Sequence, residues 1–431
     1  MAPHQHFSVP HLTTALTGPL QHIECHLLAR QTEIETWFRS QWLKTPAPFY
    51  TSVDLRNAGF KLAPVDTNLF PAGFNNLNTA FMPLCIHAVQ SAVERVCPTG
   101  QRILLVPENH TRNLFYLESL ATLVQVITSA GFDVRIGSLL NELDEPMVVD
   151  LPSGRSVTLE RLQREGARVG VADFDPCVVL LNNDLSEGYP EALVGIEQQV
   201  IPPLALGWSN RLKSGHFAHY RDVAEELADL VEIDSWLISP LFRNCGEISF
   251  KKREGEDCLL KNAKALFTAI KLKYDEYGLT DKPFIVAKAD AGTYGMGVMT
   301  VESPEELVEL NRKQRNKMSS AKGGQEVTQV ILQEGVYTYE TWGDDEAVAE
   351  PVVYMLDHFV VGGFYRVHKG RGVRENLNAP GMQFEPLAFA ESCSTPDSSE
   401  EPDSSINRFY AYGVIARLAM LAAAREIHHH S

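Results

Sequence analysis

The 431-residue chain contains no run of about 18 apolar residues, and it does not open on a basic segment followed by a continuous apolar stretch. Neither a membrane-spanning helix nor a secretory leader is therefore expected. Cations are scarce: 38 Lys and Arg stand against 55 Asp and Glu, a formal net charge of −17. Binding nucleic-acid phosphates takes clustered Lys and Arg, so nucleic acid is not the expected partner. Cysteine supplies no framework either. Cys25, Cys85, Cys97, Cys177, Cys245, Cys258 and Cys393 are odd in number and include no C-x-x-C pair, which favours reduced thiols and a cytoplasmic protein. His4, His6 and His11 are scattered and read as exposed side chains, and the closing run His428, His429 and His430 is set aside as a tail.

What is present can bury a large core, since 44% of the residues are hydrophobic, enough for two or three domains. Residues 12–43 carry apolar side chains at helical intervals, broken near Gly18 and Pro19, and read as a helix or helix pair. Residues 103–106, 113–130 and 133–136 read as strand, amphipathic helix and strand, and 177–181 (CVVLL) as another core strand, a pattern that predicts a parallel α/β sheet. Asn109 and His110 follow the first of these strands, at the carboxyl end where such sheets bind ligands. Residues 221–234 and 258–277 read as helices, 391–407 (ESCSTPDSSEEPDSSIN) as a mobile acidic segment, and 408–427 as an Ala/Leu-rich closing helix.

Residues 283–301, PFIVAKADAGTYGMGVMTV, place Lys288 at the end of an apolar strand and Gly292, Gly295 and Gly297 just after it. In a P-loop the lysine follows the glycines, and in kinases the glycine loop comes first. The spacing G-x-x-G-x-G is not the dinucleotide fingerprint either. A strand, 298–301, follows instead of a helix. Two strands around a glycine loop make a hairpin flap whose bare N–H groups can approach phosphate oxygens, with Lys288 as a point charge. Taken alone, the stretch equally describes a solvated hairpin. Downstream, residues 328–337, TQVILQEGVY, form an apolar strand that runs into Gln333, Glu334 and Gly335, a strand-to-hinge segment suited to an adenine ring and its amino edge. Together these residues resemble the ATP-grasp superfamily, in which a strand lysine, a glycine flap and a hinge hold ATP between two α+β subdomains.

Residues 52–77, SVDLRNAGFKLAPVDTNLFPAGFNNL, show no sustained periodicity and read as loop with short strands. Arg56 could fork onto a carboxylate, Asp54 or Asp66 could accept from an ammonium group, and Lys61, Asn68, Asn75 and Asn76 could complete a shell for an amino acid zwitterion. A loop satisfied by its own Asx turns is the alternative. This stretch is similar to the signature of the proteobacterial type of glutamate–cysteine ligase, a resemblance that runs over most of the chain. It implies a cytoplasmic enzyme that uses ATP and Mg²⁺ to join the γ-carboxyl of glutamate to the amine of cysteine through a γ-glutamyl phosphate.

Residues 360–384 concentrate Arg366, Lys369, Arg371 and Arg374, a local basic cluster in an acidic protein. Arg374, Asn376, Leu377 and Gly381 match the R-x-N-L-x-x-G-G stretch of bacterial glutathione synthetases, with Pro380 a departure. That likeness makes Lys288, Arg374 and Arg366 the candidate catalytic cations. Glutathione synthetases carry metal-binding acids on a strand after a later helix, and this chain stops at that helix. Magnesium ligands are therefore sought among Glu340, Glu350, Glu375, Asn376 and Asn378. The second phosphate lysine is assigned to Lys264, with Lys251 and Lys252 as rivals.

The expected fold is α/β: an N-terminal helical and parallel α/β substrate domain (1–245, pre-ATP-grasp) followed by an α+β ATP-grasp domain (246–427). Partners are small molecules only, namely glutamate, cysteine and ATP, with no membrane. The oligomeric state is not legible. A different ATP-grasp carboxylate–amine ligase, such as a glutathione synthetase, would share every ATP motif, and a nucleotide-binding regulator without turnover is the second alternative.

Overall fold

The computed structural model describes residues 19–109, 112–140, 142–292, 297–319, 326–343, 345–386 and 405–430. His4, His6, His11, His110, Gly295 and most of the acidic segment lie outside the described residues.

In chain order, α1 (Pro19–Ala29) and α2 (Gln31–Lys44) are followed by β1 (Tyr50–Asn57), β2 (Leu62–Asn68) and α3 (Met82–Val96). Next come β3 (Arg102–Pro107), α4 (Leu114–Ser129), β4 (Asp133–Ser138), β5 (Met147–Asp150), β6 (Ser156–Arg161) and a small hairpin, β7 (Gln163–Glu165) and β8 (Arg168–Gly170). Then follow β9 (Val178–Asn182), β10 (Gln199–Ile201), α5 (Lys213–Val231), β11 (Phe242–Cys245) and α6 (Glu256–Glu276). β12 (Ile285–Ala289), β13 (Val298–Val301), α7 (Arg312–Met318), β14 (Val330–Glu334) and β15 (Glu340–Trp342) lead to the last strands, β16 (Ala347–Leu356), β17 (Phe359–His368) and β18 (Gln383–Pro386), and to α8 (Ser405–His430).

The strands build three main sheets. The first runs β10-β9-β3-β4-β6-β5 and is parallel except for its β5 edge. Its apolar strands, covered by helices such as α3 and α4, are those the hydrophobic pattern predicts. Asn113 starts α4 by accepting a hydrogen bond from the Tyr116 N–H at 3.2 Å. The second sheet, β11-β14-β12-β13, is antiparallel and carries the lysine strand and its hairpin partner. The third, β18-β17-β16-β1-β2 with β15 on β16, is antiparallel as well.

This third sheet gives residues 52–77 more order than the loop with short strands expected there. Thirteen of these positions are strand residues of β1 and β2, and β1 lies directly on β16. Polar alternation hid the pattern because this hairpin carries charges on a buried face. The sheet also crosses the boundary expected at 245/246, drawing residues 50–68 to strands that follow residue 340. Helix α5 begins at Lys213, earlier than the acidic stretch suggested, and residues 304–317 hold a short 3₁₀ turn and most of α7.

α8 is buried on every side from Tyr410 to Ala424, the signature of a central core helix. It packs on α5, β2, β16 and β1, and α5 in turn packs on β11, so that both antiparallel sheets share one core. No helix among the described residues is long and apolar enough to cross a membrane.

Candidate active site

A cavity opens between the two antiparallel sheets. One wall comes from Asp54 and Arg56 on β1, Val65 and Asp66 on β2, and Glu350 on β16; the other from Val286, Lys288 and Ala289 on β12, Val298 and Thr300 on β13, and Gln333 and Glu334 on β14. Lys213, Gly292, Val336, Arg374, Asn376 and Asn378 complete it.

Strand geometry explains the acidic wall. Asp54 and Arg56 are two apart on β1 and share a face, Asp66 sits opposite Asp54 on β2, and Glu350 sits opposite Arg366 on β17. The Arg366 guanidinium donates to Asp54 Oδ2 at 2.9 Å and to Glu350 Oε1 at 2.6 Å, while Arg56 Nε donates to Glu350 Oε2 at 3.1 Å. Arg56 also donates to the backbone carbonyls of Val336 and Glu375. A ladder of alternating charges thus fixes two carboxylates at the cavity edge. Burial nonetheless pushes the Asp54 carboxyl up against the pull of Arg366, with Glu350 adding to the rise, so a further cation is favoured beside it.

The opposite wall is cationic. Lys288 is part-buried, and its Nζ donates to Val65 O at 2.8 Å and Gln333 Oε1 at 2.7 Å. Burial lowers its pKa to about 8, with nearby Asp66 opposing the shift and Lys213 adding to it. The Gln333 amide nitrogen is buried without a partner, a donor left for a ligand. Lys213 stands at the first position of α5 with its ammonium 4.2 Å from the Trp208 ring centre and bonded to Gly292 O at 2.5 Å. Burial lowers its pKa as well. Asp290 accepts from the Ser214 N–H and hydroxyl at 2.7 and 2.6 Å, which locks the helix start beneath the lysine strand. Gly292 has φ +103°, a left-handed backbone that suits glycine.

Several expected residues do not reach the cavity. Lys61 is buried against Glu334 at 2.7 Å and over the Trp236 ring at 4.3 Å, so it cannot meet a substrate. Glu334 does line the cavity, but its carboxylate is held by Lys61, Trp236 Nε1 and the Leu241 N–H, which makes it structural. Gly335 is required by packing, since a Cβ there would lie 2.1 Å from the Phe284 ring. Asn68 closes an Asx turn on Phe70, and Asn75 is exposed beside Asn76. Lys264 is exposed on α6, 3.4 Å from Glu305. Glu375 pairs with Arg371 at the surface, and Glu340 is bound by Asn57 and Tyr412. Gly297 flanks the cavity hairpin, its carbonyl bonded to the Ala289 N–H. Arg366 lies behind Asp54 and Glu350 and acts through them.

Sequence reasoning missed Lys213, because the helix that carries it was expected to begin only at residue 221. The available signal was a lysine and serine closing a polar connector just before helical periodicity begins.

No group of three or more His, Cys, Asp or Glu among the described residues is arranged to hold a metal alone. Mg²⁺ asks for less, one or two carboxylates plus phosphate oxygens and water, and the donor set of Asp54, Glu350, Asn376 and Asn378 fits that demand.

Comparison with known proteins yields one decisive result. Residues 24–427 match the glutamate-cysteine ligase family. A crystal structure of a Methylobacillus flagellatus KT protein assigned as a gamma-glutamylcysteine synthetase shares 58% identity, covers 98% of this chain and 99% of its own, and superposes with a TM-score of 0.91. A glutathione synthetase-like effector from Globodera pallida (10% identity, 85% and 80% coverage, TM-score 0.37) and D-alanyl-alanine synthetase A from Vibrio cholerae (9%, 74% and 81%, 0.33) overlap too weakly to bear on the site. No curated protein matches.

Proposed function

The chain belongs to the glutamate-cysteine ligase family, and from that premise we propose how its cavity performs the ligation. The enzyme is an ATP-dependent ligase of glutamate and cysteine. The observation that carries the site assignment is the facing of two lysines, the part-buried Lys288 and the buried Lys213, by the carboxylates Asp54, Asp66 and Glu350 across one cavity.

Joining a carboxylate to an amine requires a leaving group on the carboxylate, and phosphoryl transfer from ATP supplies one. Lys288, Lys213 and Arg374 neutralise the phosphate oxygens as the glutamate γ-carboxylate attacks in line, and the acyl phosphate so formed is captured by the cysteine amine. Mg²⁺ held by Asp54 and Glu350 with Asn376 and Asn378 would supply further charge neutralisation at the phosphates. Asp66 accepts the ammonium proton that the amine must lose before it attacks. The valines at 65, 286, 298 and 336 keep water from the acyl phosphate, and Gln333 turns its free amide donor toward the nucleotide. Residues 1–245 and 246–427 remain the proposed substrate and ATP halves, with β1 and β2 lent by the first half to the second.

Phosphate release measured with ATP, glutamate and each amine in turn tests this reading. Release that depends on cysteine is expected. Dependence on glycine with a γ-glutamyl dipeptide would assign a different ligase, and no release would leave a nucleotide-binding regulator.

A further inference from the structure

Two thiols that the ligation does not use are held against each other. Cys97 caps the end of α3, and Cys177 stands immediately before β9. A Cβ placed on Gly100 would lie 2.1 Å from Cys177 Sγ and 2.4 Å from Cys97 Sγ, so both sulfurs crowd one point and only glycine leaves them room. The backbone on either side is pinned. The Gly100 N–H donates to Cys97 O at 3.0 Å, the Cys177 N–H donates to Arg102 O at 3.0 Å, and the Cys177 thiol donates to the same carbonyl at 3.1 Å. Both cysteines are partly exposed, so a small reagent can reach them.

Cys245 and Cys258 form a second pair. Both accept from the Asn262 side-chain amide, at 3.2 and 3.3 Å, which uses the sulfurs as acceptors of one shared donor. Buried Cys85 has no such neighbour among the described cysteines.

The location also separates Cys97 and Cys177 from the chemistry. They sit where β3 and β9 begin, whereas the carboxyl ends of those strands face the active site: the Trp208 N–H donates to Asp184 O at 2.8 Å, and the Gly292 N–H to Trp208 O at 3.1 Å. A bond between the sulfurs would fasten α3 to the parallel sheet at its far edge and shorten the unfolded chain's freedom across the intervening loop.

We propose that Cys97 and Cys177 are a reversible disulfide site, closed by exchange with a low-molecular-weight disulfide, that stabilises the substrate half and leaves the active site untouched. In the first step a Cys97 thiolate attacks one sulfur of the small disulfide, the S–S bond breaks, and one small thiol leaves. In the second step Cys177 attacks the Cys97 sulfur of the mixed disulfide and expels the second small thiol. Two protein thiols are oxidised by two electrons, one small disulfide is reduced to two thiols, and the protein's two thiol protons end on them. Burial and the neighbouring Cys97 push the Cys177 thiol up to about 11, which leaves its thiolate scarce, so Cys177 is assigned the intramolecular step, where proximity offsets the low thiolate fraction.

The test is incubation of the full-length protein with glutathione disulfide, followed by peptide mapping without reduction, a thermal melt and an activity assay. A Cys97–Cys177 cross-link, a melting temperature raised by several degrees and reversed by reduction, and retained ligase activity are expected. Cys177→Ser should trap Cys97 as a mixed disulfide, and Gly100→Ala, whose Cβ parts the sulfurs, should slow closure by about tenfold or more. Cross-linking only at Cys245 and Cys258, mixed disulfides at Cys97 that never close in the unsubstituted protein, or inactivation in step with the cross-link would each overturn the proposal.

Discussion

At the scale of single residues, burial decides which charged side chains do chemistry and which hold the fold. Lys61, fully buried, and Lys288, part-buried, both have pKa values lowered to about 8 by desolvation, yet only Lys288 faces the cavity. Lys288→Ala should reduce kcat/KM for ATP by about 100-fold, the scale of losing one transition-state donor, while the melting temperature holds. Because its folded pKa is depressed, Lys288 is charged below about pH 8 and neutral above it, so kcat/KM for ATP should descend above that pH. Steady-state kinetics across pH 6.5–9.5, about the range that brackets this titration, reads the limb. Lys61→Ala is the contrasting case. It strands the Glu334 carboxylate in the core and should cost about 3–5 kcal/mol in denaturant unfolding.

At the scale of elements, the lysine hairpin was legible because apolar alternation around glycines leaves few other shapes, and β12 and β13 pair as that pattern requires. The β1–β2 hairpin was legible only as short strands within a loop, because its charged residues Asp54 and Arg56 are satisfied by Arg366 and Glu350 on β17 and β16, a property of the pairing and not of either strand. The same limit applies to α8. Its apolar composition announced a core helix, but not that Glu426 near its end would be gripped by Arg211 at 2.9 Å through both carboxylate oxygens, with His216 Nδ1 at 3.2 Å. Arg211 also donates to Thr67 O at 2.7 Å, so the closing helix steadies the strand that carries Asp66. Burial opposes ionisation of Glu426, but Arg211 and His216 hold its carboxyl far below the usual range. Its stabilising contribution is therefore full above about pH 4.3, the unfolded glutamate value, and is lost as pH falls below it. Urea unfolding at stepped pH should show that loss in the unsubstituted protein and a flatter acid limb in Glu426→Gln.

For the whole molecule, the order of parts along the chain differs from their arrangement in space. The sheet order brings β1 beside β16, so that Asp54 joins Glu350. No local pattern records a pairing between residue 54 and residue 352, which is why the metal ligands could be named only as a scatter of acids. The family itself was legible, since it rests on motifs, and the cavity that gathers most of those motifs rests on topology. The most direct measurement is a comparison of two lysines by ATP-dependent phosphate release with glutamate and cysteine. Lys213→Ala should lower kcat/KM for ATP by about 100-fold with the fold intact, and Lys264→Ala, exposed on α6, should leave it unchanged. The reverse result would move the nucleotide out of this cavity and contradict the account.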